Sequence, residues 1–156
     1  RAANPVPCSL LILDIDYFKS INDRHGHPVG DETLRQFTAR LRDGLTGGAF
    51  VGRLGGEEFA VVLPSTGLPD ARRIAEPLRL QAPLVDLSRW LGERQITVSI
   101  GATVSSRGTT VSDMLRRADA ALYAAKHAGR NCVRTEPPTL GLSPEELAPW
   151  RDTRIA

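Results

Sequence analysis

Acidic side chains occur at two places where the flanking residues predict the end of a strand. Asp14 ends the apolar run over residues 9–14, which is typical of a strand buried on both faces. Glu57 and Glu58 follow two glycines between two further apolar runs. A carboxylate that leaves a buried strand needs a cation, a hydrogen-bond donor or a helix cap. We therefore consider Asp14 and Glu57 as candidate ligands of one metal ion.

Two carboxylates from neighbouring strand ends suit magnesium, which takes one or two protein carboxylates and completes its shell with water and phosphate oxygens. This preference favours nucleotide chemistry. Lys126 and Arg130 are four residues apart near the end of an amphipathic segment, so they share one helix face and can hold phosphates. Spacing alone also fits a second interpretation, in which these cations merely complement the dipole at the helix C-terminus. That role is the more common one.

The surrounding patterns predict the elements that position these residues, in a mixed sheet with helices packed on it. Glycines 55 and 56 are expected to supply the positive φ of a tight hairpin, and Pro77 is expected to kink or divide its helix. The predicted order is strand 9–14, a short helix from about Tyr17, helix 31–45 capped by Gly30-Asp31, hairpin strands 49–54 and 58–63, helix 68–80, strand 95–103, a helix that Thr110 begins with a capping box and Gly129 ends, and strand 131–134.

Length and composition limit the class of protein. The 156 residues suit one domain, with 41% hydrophobic and 24% charged residues as in ordinary globular proteins. The net charge of +2 comes from scattered residues and gives no indication of nucleic-acid binding. Cys8 and Cys132 suit neither a disulfide framework nor a zinc site. No apolar run is long enough to cross a bilayer, and we expect no direct membrane contact. We expect a cytoplasmic domain, and the missing initiator Met favours a piece of a longer sensor protein.

Five segments, taken together and in order, resemble the GGDEF family of bacterial diguanylate cyclases. The resemblance extends from about Leu10 to Val133. The segments that carry it are Asp14-Ile15-Asp16-x-Phe18-Lys19-x-x-Asn22-Asp23, Gly26-His27-x-x-Gly30-Asp31, Arg53-x-Gly55-Gly56-Glu57-Glu58-Phe59, Ser99-Ile100-Gly101 and Ala118-Asp119-x-Ala121-Leu122-Tyr123-x-Ala125-Lys126-x-x-Gly129-Arg130-Asn131. The family implies an α/β fold, a nucleotidyl-cyclase or polymerase-palm-like sandwich around a five-stranded mixed sheet, with a β-hairpin that carries the Gly-Gly-Glu-Glu-Phe turn.

The resemblance also implies a metal site and a catalytic base. Asp14, the backbone carbonyl of Ile15 and Glu57 match the family's ligands for Mg²⁺ or Mn²⁺. Glu57 matches the presumed base as well, and Lys19 matches the residue that stabilises charge on the phosphates. Glu58 lies next to the metal position without an assigned role.

Four further positions match the family's substrate-binding residues. Asn22 and Asp31 resemble the pair that reads the guanine edge, and Lys126 and Arg130 resemble the phosphate clamp. The implied reaction joins two GTP molecules into cyclic di-GMP and pyrophosphate. Because one domain binds one GTP, catalysis requires a homodimer, which relatives usually obtain from an upstream sensory segment. The alternative is a catalytically silent module that binds GTP or dimerises.

Domain limits and two local roles complete the expectations. We predict a cyclase domain over residues 1–134, lacking the family's usual N-terminal segment, and a tail or linker over residues 135–156. Asp16 and Asp23 are predicted to cap the short helix near Tyr17. The Arg-x-x-Asp product-binding motif of many relatives is absent from its usual place, residues 46–49, and Arg40 and Asp43 repeat its spacing too early in the chain.

Overall fold

A mixed sheet of five strands lies at the centre of the computed structural model, which describes residues 6–136. The sheet order is β2-β3-β1-β4-β5; β4 and β5 are parallel and the other neighbours are antiparallel. This arrangement confirms the predicted α/β class and five-stranded mixed sheet. The strands are β1 Cys8–Ile15, β2 Phe50–Arg53, β3 Glu58–Pro64, β4 Val98–Val104 and β5 Val133–Thr135.

Strand β1 runs through the middle of the sheet and is covered on both faces, which explains its continuous apolar sequence. Leu11 and Leu13 belong to the larger core cluster on one face, whereas Leu10 and Ile12 belong to a second cluster on the other. Strands β3 and β4 flank β1, and their registers place Asp14 opposite Glu58 on one side and Ser99 on the other. The last carboxylate of β1 is thus surrounded by strand ends.

Helices cover the two faces unequally. The larger core cluster includes residues of α1, α2 and α3, and the smaller one packs β1 against α5. The capping box predicted at Thr110 is confirmed, because its side chain accepts from the Asp113 N–H while the Asp113 side chain accepts from the Thr110 N–H. The helices are α1 Phe18–His25, α2 His27–Asp43, α3 Leu68–Arg79, α4 Ser88–Leu91 and α5 Val111–His127.

Gly101 sets the distance between α5 and the sheet. A Cβ added to Gly101 would lie 2.3 Å from the carbonyl oxygen of Ala118 and 2.2 Å from the backbone nitrogen of Leu122. These contacts are helix backbone and cannot rotate away. The absence of a side chain therefore lets α5 approach β4, and this approach brings the end of α5 close to the end of β1.

Two local predictions were wrong, and a third was wrong in part. Helix α2 begins at His27 rather than Asp31. Gly26, with φ 89°, separates α2 from α1, and Pro28 suits a first helical turn. Pro77 does not divide α3, which continues to Arg79 with Pro77 near its C-terminal end. The positive φ expected at glycines 55 and 56 was wrong, because neither residue has a left-handed backbone.

The predicted tail falls largely on residues 137–156, outside the described part of the chain. Between residues 6 and 136, no helix combines the length and apolar character that a bilayer crossing requires.

Candidate active site

The ends of β1, β3 and α5 bring three charged groups together. Lys126 Nζ lies 2.6 Å from Asp14 Oδ2, and both groups are largely removed from solvent. Glu58 is the register partner of Asp14 and is half-buried beside the same pair. Two carboxylates and one ammonium thus share a partly desolvated site at the ends of the sheet's interior strands.

The hairpin turn between β2 and β3 brings Glu57 to the end of β1. The Ile15 N–H donates to the Glu57 carbonyl at 3.3 Å, next to Asp14. Arg53 stabilises the turn, since its guanidinium donates to the carbonyls of Gly55 at 3.2 Å and Gly56 at 2.6 Å. The predicted grouping of Asp14, Ile15 and Glu57 at neighbouring strand ends agrees with this geometry.

Burial and mutual repulsion favour the protonated forms of two carboxyl groups. Desolvation raises the pKa of Asp14 to about 6, although the hydrogen bond and the charge of Lys126 both lower it. Desolvation also raises the pKa of Glu58 to about 8, and the nearby charges of Asp14, Glu57 and Asp119 act in the same direction. The site therefore concentrates more negative charge than Lys126 balances.

This donor set fits a divalent cation that also binds phosphate. A cation between Asp14 and Glu57 would offset the desolvation that chiefly raises the pKa of Asp14, and the smaller repulsion from Glu57. Among residues 6–136, no three His, Cys, Asp or Glu side chains are grouped so as to hold an ion by themselves. Magnesium keeps water and substrate oxygens in its shell, so two protein carboxylates are a sufficient set of charged ligands for it.

A pocket of about 480 Å³ opens beside the carboxylates along one face of α5. Asp119, Tyr123, Lys126 and Arg130 all line it together with Glu58. The sequence reasoning identified the two cations but missed Asp119 and Tyr123 as lining residues. Asp119, Tyr123 and Lys126 lie at intervals of four and three residues on one face of α5, and this spacing was the signal available in the sequence. The prediction that Arg130 shares this helix face was wrong, because α5 ends at His127 and Arg130 lies in the loop that follows, with φ 64°.

The predicted guanine-reading residues lie on α1 and α2. Asn22 Oδ1 is buried and has no hydrogen-bond partner among the described residues. A Cβ added to Gly30 would lie only 1.8 Å from that oxygen, so the glycine makes room for the amide. Asp31 is the next residue, and its side chain is exposed in a groove that Arg53 also lines. An unsatisfied amide beside an open carboxylate is suited to a ligand with several N–H groups.

Lys19 stands apart from these groups in the structure. Its side chain is 90% exposed and reaches only Asp23, at 3.9 Å across one turn of α1. The structure therefore does not bring Lys19 into contact with Asp14 or Lys126, and its role toward phosphates stays a prediction.

The predicted capping roles of Asp16 and Asp23 were wrong. Within residues 6–136, no side chain caps the N-terminus of α1, where Tyr17 has a left-handed backbone. Asp16 is buried and accepts hydrogen bonds from Thr97 Oγ1 at 2.7 Å and Ser99 Oγ at 2.6 Å. Asp23 lies within α1 and contacts Lys19. Asp16 contacts these hydroxyls rather than the helix terminus because β4, which carries Ser99 and directly follows Thr97, pairs with β1.

Comparison with known proteins identifies the family. The family model described as "Diguanylate cyclase, GGDEF domain" matches residues 1–132. The chain is a member of the GGDEF family. The response regulator PleD of Caulobacter vibrioides is 43% identical over 130 residues, which cover 81% of this chain and 29% of PleD. The chain thus spans less than a third of that relative's length.

Solved GGDEF domains share the fold. The active GGEEF domain of a diguanylate cyclase from Vibrio cholerae matches with a TM-score of 0.77 and 34% identity, covering 85% of each chain. The GGDEF domain of DgcB from Caulobacter crescentus, solved in complex with c-di-GMP, gives the same TM-score and identity over 83% of this chain and 78% of that one. These similarities confirm the predicted palm-like fold.

Proposed function

We propose that this GGDEF domain is a diguanylate cyclase that condenses two GTP molecules into cyclic di-GMP and releases pyrophosphate. One observation carries the proposal: Glu58, Lys126 and Arg130 line one pocket, and Lys126 contacts Asp14. The turn that bears Glu57 lies against the end of β1 beside Asp14. Carboxylates for a metal and cations for phosphates are the two requirements of nucleotidyl transfer. The diguanylate cyclases among the relatives support the same reaction.

The acidic residues prepare the nucleophile. Asp14, the Ile15 carbonyl and Glu57 would hold Mg²⁺ or Mn²⁺, which supplies neutralisation of phosphate charge and a lower pKa for the attacking hydroxyl. Glu57 accepts the proton from the 3′-hydroxyl of one GTP as the 3′-oxygen attacks the α-phosphate of the other GTP. Its place on an open turn supports this role, because a hydroxyl from a second molecule can reach it.

The basic residues bind the triphosphate. Lys126 exchanges its contact with Asp14 for phosphate oxygens, and Arg130 at the pocket rim binds the same chain of phosphates. Lys19 is free to move toward substrate, since its side chain is almost fully exposed. Its charge then stabilises the negative charge that develops as pyrophosphate leaves.

Asn22 and Asp31 select guanine. The Asp31 carboxylate accepts from the N1–H and the 2-amino group, a pair of donors that adenine lacks. The Asn22 amide completes the recognition and satisfies its own buried oxygen. This arrangement favours GTP over ATP and argues against a mixed dinucleotide product.

The product requires a homodimer, because each domain presents one GTP and each 3′-hydroxyl must reach the other domain's α-phosphate. Two domains therefore face each other with antiparallel active sites. We propose that residues 1–134 form the catalytic domain, that residues 135–156 are a linker or tail, and that a sensory domain of the longer protein controls dimerisation in the cytoplasm.

The test is to fuse the chain to a dimeric coiled coil, incubate it with GTP and Mg²⁺, and separate the products by chromatography. Cyclic di-GMP from the fusion, and none from its Glu57→Gln variant, is the expected result. GTP binding without any cyclic product would instead support the silent regulatory module. Absence of both binding and product would refute both readings.

A further inference from the structure

The backbone that presents Arg130 is held in an unusual conformation after α5. Arg130 and Asn131 both have left-handed backbones, with φ 64° and 48°. Two consecutive non-glycine residues adopt this region only when surrounding contacts hold them there. The Arg130 N–H donates to the Ala125 carbonyl at 3.0 Å, which closes the end of the helix.

Asp16 supplies the second restraint on this loop. Its Oδ2 accepts from the Asn131 N–H at 3.1 Å, while its two oxygens also bind the hydroxyls of Thr97 and Ser99. A buried carboxylate with three donors is firmly oriented. Asp16 thereby joins the loop after α5 to the ends of β1 and β4.

The neighbour of Asp16 contacts the side chain of Arg130. The Arg130 Cζ lies 4.8 Å from the centroid of the Tyr17 ring, within the range of a cation–π interaction. Tyr17 is 66% exposed and has a left-handed backbone with φ 57°. Core packing does not account for a large aromatic residue at such a position. The contact with Arg130 does, because it places the flat face of the ring against the guanidinium.

We propose that Tyr17 is a positioning residue that orients the Arg130 guanidinium toward the phosphates of GTP, on a loop whose backbone Asp16 secures. The inference rests on the proposed function, since it concerns how this chain prepares its phosphate clamp. The ring reduces the number of rotamers that Arg130 must give up on binding. Tyr17 acts through Arg130 and takes no part in proton transfer.

The first experiment measures binding without turnover. Calorimetry with 3′-deoxy-GTP and Mg²⁺ compares wild type, Tyr17→Leu and Tyr17→Phe. Loss of an exposed cation–π contact should weaken binding about two- to fivefold in Tyr17→Leu. Tyr17→Phe keeps the ring and should rescue affinity. In the cyclase assay the KM for GTP should rise by the same factor in Tyr17→Leu, with kcat nearly unchanged.

Two controls separate positioning from general effects. In an Arg130→Gln background, Tyr17→Leu should have no further effect on affinity, because the partner is already lost. Trp90→Leu removes the other described cation–π pair, in which Arg89 lies 5.5 Å from the Trp90 ring, and should leave affinity unchanged. Equal affinities of wild type and Tyr17→Leu, or additive losses in the double variant, would overturn the inference.

A second measurement tests the contact independently of nucleotide. The Arg130 side-chain N–H signal in NMR should be shifted upfield by the Tyr17 ring, lose that shift in Tyr17→Leu and keep it in Tyr17→Phe. If the shift is present but wild type binds no 3′-deoxy-GTP, the proposed function fails and the role in phosphate binding fails with it. If wild type binds and reacts but Tyr17→Leu matches it, only the role of Tyr17 fails.

Discussion

Lys126 Nζ and Asp14 Oδ2 lie 2.6 Å apart although 112 residues separate them in the chain. The pair joins the last turn of α5 to the last residues of the central strand. It also places the proposed phosphate-binding cation on the proposed metal ligand. Substrate phosphates and the carboxylate therefore compete for the same ammonium group, and the electrostatics of the site change when GTP binds.

Glu58 should make the folded protein less stable as pH rises. Its pKa is about 8 in the folded state against an ordinary 4.5, so between these values the folded chain binds more protons than the unfolded chain. The free energy of unfolding then decreases with increasing pH. Asp14 also lowers the free energy of unfolding as the pH rises from 3.8 to about 6, because its pKa is likewise raised in the folded state.

Urea unfolding without divalent cations, at several pH values from 5 to 8, tests this effect. Glu58→Gln should flatten the decline and exceed wild type in stability near pH 8, while the exposed control Glu93→Gln should follow wild type. A wild-type curve that rises over this interval, unchanged by Glu58→Gln, would contradict the expectation.

Glu57→Gln should reduce cyclic di-GMP formation at least ~10²-fold, because it removes a negative metal ligand and the proposed base together. The side chain lies on an open turn, so circular dichroism and the unfolding midpoint should stay close to wild type. Initial rates of the dimeric fusion provide the measurement. Near wild-type turnover would show that the hairpin turn is not the catalytic centre.

Asp31→Ala should reduce the preference for GTP over ATP at least about tenfold, since the lost hydrogen bonds to a charged acceptor read only guanine. Affinity for Mg²⁺-pyrophosphate should be unchanged, because Asp14 and Glu57 remain. Competition binding with both nucleotides measures the ratio. Unchanged GTP and ATP affinities would leave Asp31 as an ordinary polar residue in the first turns of α2.

Gly30→Ala should impair GTP binding about tenfold or more while the fold survives. The new Cβ would overlap Asn22 Oδ1, which must rotate away from its present position. Alanine also gains roughly 0.5–1 kcal/mol of helix propensity, which offsets much of the strain. Calorimetry and urea unfolding separate the two effects. The matched control is Gly52→Ala, whose Cβ would meet no described atom within 4 Å; equal GTP affinities of the two variants would contradict this account.

Cyclic di-GMP should not bind tightly outside the active site through an Arg-x-x-Asp motif. Residues 46–49 lack both charges, and Arg40 lies within α2, where its guanidinium donates to Gln81 Oε1 at 3.2 Å. Calorimetric titration of product should show no sub-micromolar binding. Tight binding that Arg40→Ala abolishes would show that the displaced pair Arg40 and Asp43 replaces the usual motif.

Much of the fold could be predicted because local patterns carry it. The continuous apolar run of β1 predicts a strand that is buried on both faces. The capping box at Thr110 can be recognised from two residues three positions apart. Predictions failed where backbone conformation depends on packing. Helix α2 begins at His27, directly after Gly26, rather than at Asp31, and Pro77 stays within α3 near its C-terminal end.

The sequence by itself determined the chemical types at the site: carboxylates at strand ends, cations near the end of α5, and glycines beside the acidic residues of the hairpin turn. Only the tertiary structure decided which of these groups touch. Pairing of β1 with β3 and β4 sets Asp14 beside Glu58 and draws Asp16 to hydroxyls on β4, while Gly101 lets α5 bring Lys126 to Asp14. Such contacts join residues far apart in the chain, and their geometry follows from sheet register and helix packing, which no local spacing encodes.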